Sequence, residues 1–137
     1  MIQDNLIHVY FMPGMAASPS IFEHIKLPKN QFKIHWLEWK IPLKNESLKE
    51  YTKRILEDVH HENPVLIGVS FGGVIVQEMS KLIRVKRLIL ISTVKNKYEL
   101  PKRMHFARKT ALYKIFPTSL VDRLGRLEKL PLGKFVK

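Results

Sequence analysis

A single serine stands in the most apolar stretch of the chain, with glycines at fixed distances on both sides. In VLIGVSFGGVIV the only polar side chain is Ser70, with Gly68 two residues before it and Gly72 and Gly73 two and three residues after it. A sharp turn from a strand into a helix brings the positions two before and two after the turn residue together, so both favour glycine. The spacing therefore predicts a strained turn at Ser70 and a helix that starts at Phe71. Such a turn lifts the hydroxyl out of the core, where it can act as a nucleophile.

Two backbone amides are candidates for stabilising the oxyanion that forms when Ser70 attacks a carbonyl. The Phe71 N–H lies in the first turn of the predicted helix, where amides have no intrahelical acceptor and the helix dipole is positive. A second donor is expected from the loop after a neighbouring strand. In MPGMAAS that donor is the Met15 N–H, and Gly14 lets the backbone approach a substrate. The chemistry predicted is acyl transfer from an ester, thioester or amide of a small molecule.

Two other interpretations of the glycine-rich turn stay open. One is a tight turn with an incidental serine. The other is a phosphate-binding loop, but the segment lacks the Lys-Ser/Thr pair of a P-loop, and Ser70 occupies the place of the middle glycine in G-x-G-x-x-G. The next strand ends at Ser92 and Thr93 rather than at an acidic residue for a ribose. We therefore expect no nucleotide and no other cofactor.

The segments that must position these residues alternate between strand and helix patterns. Apolar residues at 3–4 spacing predict two helices, one of which begins with a capping box of Ser47 and Glu50. Ser18 is a candidate cap for a further short helix. The alternation predicts an α/β fold, with a mostly parallel sheet and helices on both faces. The predicted strands are residues 6–12, 32–38, 65–69 and 87–92.

Basic charge is concentrated in the last third of the chain. The 137 residues have a net charge of +12, and residues 93–137 carry 12 of the 24 Lys and Arg residues but only 3 of the 12 acidic ones. This shift predicts a core in residues 1–95 and a basic helical segment in residues 96–137. Because the charge is not spread over the chain, nucleic-acid binding is not expected. The run KRMHFARKTALYK can bind an anionic surface, so a non-catalytic binding module remains the alternative function.

The composition excludes several classes of site. No cysteine occurs, which rules out disulfides, thiolate metal sites and a cysteine nucleophile. Uncharged runs fall well short of the ~20 residues that a membrane-spanning helix needs. The first residues lack the basic leader of a signal peptide. We therefore expect a cytoplasmic protein with no metal site and no membrane span, and its oligomeric state stays open.

These motifs resemble the α/β-hydrolase superfamily over roughly residues 6–95. The matching segments are MPGMAAS, IGVSFGGVIV and VKRLILIST. The resemblance implies Ser70 as the nucleophile, and the Met15 and Phe71 N–H groups as the oxyanion hole. Pro13 stands where many members have a histidine. The resemblance also implies the strand order second, first, third, fourth, and a helical cap beyond Thr93.

The resemblance further implies an acid and a histidine on loops after two later strands, and this sequence shows neither strand. We therefore expect the N-terminal portion of a longer hydrolase, inactive in isolation, rather than a chain that has lost its triad. The strand at 87–92 would then be an unpaired apolar edge, which predicts poor solubility.

No residue of the chain is a good general base. His8 and His35 lie within strands, and His60 and His61 are interpreted as a solvated pair at the end of a surface helix. The remaining candidates, interpreted as solvated or packing residues, are His24, His105, Glu99 and Asp122.

Overall fold

The computed structural model describes residues 6–99, so the predicted basic cap, with His105 and Asp122, lies outside the described residues. Four strands and two α-helices alternate along the chain, with a 3-10 helix at Pro19–Phe22 and another at Lys97–Glu99. All four predicted strands are present within two residues of their expected ends. The elements are β1 (Ile7–Met12), β2 (Phe32–Trp36), α1 (Leu48–Leu56), β3 (Val65–Val69), α2 (Phe71–Ser80) and β4 (Arg87–Ile91).

The four strands form one parallel sheet in the order β2-β1-β3-β4, which agrees with the order implied by the resemblance. β1 and β3 lie at its centre and are the most buried strands. In register, Tyr10 of β1 lies beside His35 of β2 and Leu66 of β3. Their side chains therefore share one face of the sheet, because side chains in parallel register point to the same side.

Both α-helices pack on that face. Crossovers between parallel strands are right-handed, and the connections β2–α1–β3 and β3–α2–β4 run in the same direction across the sheet. They therefore place their helices on the same side, where α1 and α2 also contact each other. The buried residues of this layer are Tyr10, Met12, Leu37, Tyr51, Ile55, Leu66, Ile75, Val76 and Met79.

The opposite face is covered differently from the prediction. The β1–β2 connection runs in the reverse direction across the sheet, so it crosses the other face, and it carries only the 3-10 helix. The expectation of helices on both faces is therefore wrong for the described residues. Phe22 packs there against Phe11, with ring centroids 4.9 Å apart. Trp36, Ile89 and Ile91 on this face remain 43%, 40% and 41% exposed.

The predicted caps have different outcomes. The capping box is confirmed: Ser47 Oγ accepts from the Glu50 amide and the Glu50 carboxylate accepts from the Ser47 amide. Ser18 occupies the predicted N-cap position of the 3-10 helix that starts at Pro19, but its side chain makes no cap hydrogen bond and instead pairs with Ser20 Oγ at 2.5 Å. Neither α-helix in residues 6–99 has the length and apolar character to cross a membrane.

Candidate active site at Ser70 and a histidine cluster

Ser70 is the turn residue between β3 and α2. Its backbone has φ 52° and ψ −122°, a region that residues other than glycine rarely occupy. The Ser70 amide donates to Ile91 O of β4 at 2.9 Å, and the Ser70 carbonyl accepts from the Gly73 amide at 3.0 Å. The side chain is exposed although the strand before it is buried. The turn thus presents a hydroxyl at the carboxyl end of the central strands, held by the neighbouring strand and the first turn of the helix.

The glycines around Ser70 provide space rather than an unusual backbone conformation, since no described glycine has a positive φ. A Cβ on Gly68 would lie 2.5 Å from Gly72 O and 2.6 Å from Gly73 Cα. A Cβ on Gly73 would lie 2.5 Å from the Thr93 side chain. Each of these contacts is closer than real side chains allow. The strand and the helix can therefore approach each other and the Thr93 side chain only because glycine has no side chain at these positions.

The loop after β1 lies directly beside Ser70. A Cβ on Gly14 would lie 3.5 Å from Ser70 Cβ, an ordinary van der Waals distance. The Gly14 carbonyl accepts from the Ala17 amide at 3.0 Å and closes a tight turn in which Ala16 has φ 60°. This loop, predicted to supply the second oxyanion donor, therefore lies next to the predicted nucleophile.

Trp39 fixes the orientation of this loop. Its Nε1–H donates to the Gly14 carbonyl at 2.8 Å. Because the peptide bond is trans, the Met15 N–H of the same peptide unit points away from that carbonyl. The indole stacks against Phe71, the residue after Ser70, with centroids 5.8 Å apart, and against Tyr51 of α1 at 6.2 Å. The sequence analysis did not predict a role for Trp39. The only signal in the sequence was its indole N–H, which needs a hydrogen-bond acceptor when it packs inside a fold.

The two predicted oxyanion donors are both uncommitted in the described part of the chain. Among residues 6–99, neither the Met15 amide nor the Phe71 amide donates to a protein acceptor. Met15 is 66% exposed. In the same part of the chain, no hydrogen bond joins Ser70 Oγ to an ionisable side chain. Among the described residues, the exposed Ser70 hydroxyl therefore lies near two amides without protein acceptors, and no ionisable side chain pairs with it.

A second group of functional side chains lies elsewhere on the sheet. His61, predicted to be solvated at a helix end, is in fact half-buried, and α1 ends at Leu56, five residues earlier. The His61 ring stacks on His8 with centroids 3.5 Å apart, and its Nδ1 lies 2.5 Å from the Tyr10 hydroxyl. The solvated interpretation holds only for the neighbouring His60, which is exposed. It fails for His61 because the loop after α1 folds back over β1.

His35 completes this cluster from β2. Its Nε2 lies 2.9 Å from His8 Nδ1, and its ring centroid is 4.8 Å from that of His61. Burial lowers the pKa of His35 to about 4, with smaller contributions from His61 and His8. His35 is therefore neutral at pH 7. No sequence pattern predicts this cluster, because its members come from two strands and a loop.

No protein-family model matches this chain, and no curated protein matches it either. The structure shows a small α/β domain with a four-stranded parallel sheet and two α-helices.

Proposed function

We propose that the chain carries the nucleophile and oxyanion hole of a serine hydrolase of the α/β-hydrolase superfamily. Its substrate would be an ester, thioester or amide of a small molecule. The observation that supports this most is the Ser70 backbone, with φ 52° between a buried strand and a helix, which exposes the hydroxyl. Such strain is retained where it serves a site, and a tight turn with an incidental serine would not need it.

The proposed reaction begins with attack of Ser70 Oγ on the substrate carbonyl carbon. The serine proton passes to a base that lies outside residues 6–99, and the carbonyl oxygen becomes an oxyanion. The Met15 and Phe71 amides donate to that oxyanion, aided by the positive end of the α2 dipole. Collapse of the intermediate breaks the bond to the leaving group, which takes up the proton. Water then hydrolyses the acyl-enzyme and restores the serine.

Covalent labelling tests the nucleophile without requiring turnover. Incubated with a fluorophosphonate at alkaline pH, where hydroxide ionises a larger fraction of the hydroxyl in place of a base, the chain should slowly gain one adduct, and peptide mapping should place it on Ser70. Ser70→Ala should abolish the adduct, because no other hydroxyl would sit at the oxyanion hole. Ser20→Ala is the matched control, since Ser20 is an exposed serine on the 3-10 helix, and it should label like the wild type. Labelling that survives Ser70→Ala would contradict the proposal.

A non-catalytic binding module is the second candidate, favoured by the basic charge of residues 93–137. It predicts sedimentation with vesicles of anionic phospholipid that weakens as salt is raised, because screening acts on exposed charges. Salt-sensitive binding without an adduct at Ser70 would favour this function over hydrolysis.

A further inference from the structure

The histidine cluster lies away from Ser70 and takes no part in the proposed hydrolysis. His8 is the second residue of β1, and His61 belongs to the loop that leads into β3. Ser70 follows the last residue of β3. In a parallel sheet the amino ends of strands share one edge and the carboxyl ends share the other. His8 and His61 therefore lie toward the amino ends of the strands, whereas Ser70 lies at the carboxyl ends. The function of the cluster is thus independent of the chemistry proposed at Ser70.

Three elements bring these imidazoles together. His8 shares the helix-covered face of the sheet with Tyr10, two residues along β1, and His35 is the register partner of Tyr10 on β2. His61 closes the group from the loop. One ring nitrogen from each histidine lies within 4.8 Å of the other two. A tetrahedral ion with metal–nitrogen bonds of about 2.0–2.1 Å holds its ligands about 3.3 Å apart. Because the His8 and His61 rings stack within 10° of parallel, their in-plane lone pairs do not yet converge, and binding requires these rings to turn toward the ion.

Tyr10 supplies the outer support that metal-bound histidines usually have. Such a histidine coordinates through one ring nitrogen and donates its other N–H to a neighbouring acceptor, which fixes the ring. His61 Nδ1 lies 2.5 Å from Tyr10 Oη, so in the proposed site Nδ1 faces the hydroxyl and Nε2 would be the ligand atom. Tyr10 is 1% exposed, and its hydroxyl also accepts from the His60 amide at 3.2 Å. The acceptor is therefore held firmly.

The charge around the cluster selects among cations. Imidazole binds metal only in its neutral form. Lys33 is the register partner of His8, and Arg84 lines the groove beside His61. Positive neighbours repel every cation, so only an ion with strong affinity for nitrogen overcomes them. Zn²⁺, Ni²⁺ and Cu²⁺ have that affinity, whereas Mg²⁺ and Ca²⁺ prefer oxygen ligands.

An open groove gives an ion access to His61. It has a volume of about 470 Å³ and is lined by residues 59–63 together with Ile83 and Arg84. We propose that His8, His35 and His61 form a binding site for a divalent transition metal of the zinc class. A three-histidine set leaves a coordination position for water or an exogenous ligand. The expectation of no metal site, made from the sequence, is replaced by this proposal.

Zinc titration of the untagged, chelator-treated chain tests the site. Calorimetry should give one Zn²⁺ per chain, and Zn²⁺ but not Mg²⁺ should raise the melting temperature. His61→Asn should weaken Zn²⁺ binding at least about tenfold, because it removes a ligand from a loop. Tyr10→Phe keeps all three ligands and the buried ring, yet should weaken binding by about 10-fold or more through loss of the outer hydrogen bond.

His24→Asn is the matched control, since the His24 side chain is 94% exposed and lies outside the cluster. It should bind Zn²⁺ like the wild type. Circular dichroism of each variant separates a lost ligand from a lost fold, and His35→Asn provides a second ligand variant if His61→Asn fails to fold. Absence of Zn²⁺ binding by the wild type would overturn the proposal. So would a folded His61→Asn chain that binds as tightly as the wild type.

Discussion

Conformational strain and close packing are carried by different residues around Ser70. Ser70 itself takes the left-handed φ, while the glycines on either side have ordinary φ values and serve only to remove side chains. Glycine at position 70 would relieve the strain but would also delete the hydroxyl. A non-glycine residue in this conformation costs about 1–3 kcal/mol. Under the proposed function, this cost is borne at Ser70 because the hydroxyl is needed for the chemistry.

Alanine should destabilise the protein strongly at Gly72 and only slightly at Gly14. In Gly72→Ala the new Cβ would meet the backbone carbonyl oxygens of Met12 and Pro13, which cannot rotate away. We expect a loss of about 3 kcal/mol in the free energy of unfolding, because overpacking against backbone forces the helix from the sheet. In Gly14→Ala the nearest atom is 3.5 Å away, so stability should change by less than about 1 kcal/mol.

Urea unfolding of both variants measures this difference, and fluorophosphonate labelling adds a second contrast. Gly14→Ala should fold normally yet label Ser70 more slowly, because its methyl group lies beside the serine side chain. Equal stability losses in the two variants would show that the calculated contacts do not govern these positions.

At the scale of elements, the segment after β2 holds the loop after β1 in place through the indole of Trp39. Trp39→Phe removes the Nε1 hydrogen bond to the Gly14 carbonyl but keeps an aromatic ring against Phe71 and Tyr51. The Gly14–Met15 peptide unit then loses the contact that sets the direction of its N–H. We expect the labelling rate of Ser70 to fall roughly 10- to 100-fold, since a misplaced donor loses much of its value.

The melting temperature tells a positioning role of Trp39 from a purely structural one. A positioning role predicts a slower labelling rate with a melting temperature that falls by only a few degrees. Trp36→Phe is the matched control, because Trp36 lies on the opposite face of the sheet and should leave the labelling rate unchanged. If the labelling rate of Ser70 falls equally in both variants, Trp39 has no specific role at the site.

The sequence was informative about elements and local turns. Apolar runs located all four strands, and the Ser47–Glu50 capping box marked the start of α1, because these signals lie within a few residues of each other. The histidine cluster could not be predicted in this way. Its members are up to 53 positions apart, and they meet only through the β1–β2 register and the fold of the loop after α1. The Trp39 contact depends on the same long-range packing.

For the whole sheet, the direction of each crossover decides which face receives a helix. The strand order sends two crossovers one way and one the other, and the single reversed crossover carries only a short 3-10 helix. Within residues 6–99, two α-helices therefore cover one face of the sheet, and part of the other face is exposed. Ile89 and Ile91 of the edge strand β4 are the apolar residues most affected. Exposed apolar side chains on an edge strand promote association between chains.

Replacing these two isoleucines by threonine should therefore reduce self-association without unfolding the domain. Threonine keeps the β-branched shape that strands favour. The two isoleucines are 40% and 41% exposed, so each replacement should lower the free energy of unfolding by no more than about 1 kcal/mol. Light scattering against concentration measures association, and urea unfolding measures stability. The control is Leu88→Thr, since Leu88 packs against the helix-covered core; it should destabilise by about 2 kcal/mol with no gain in solubility. If Ile89→Thr/Ile91→Thr associates as strongly as the wild type, this face does not drive association.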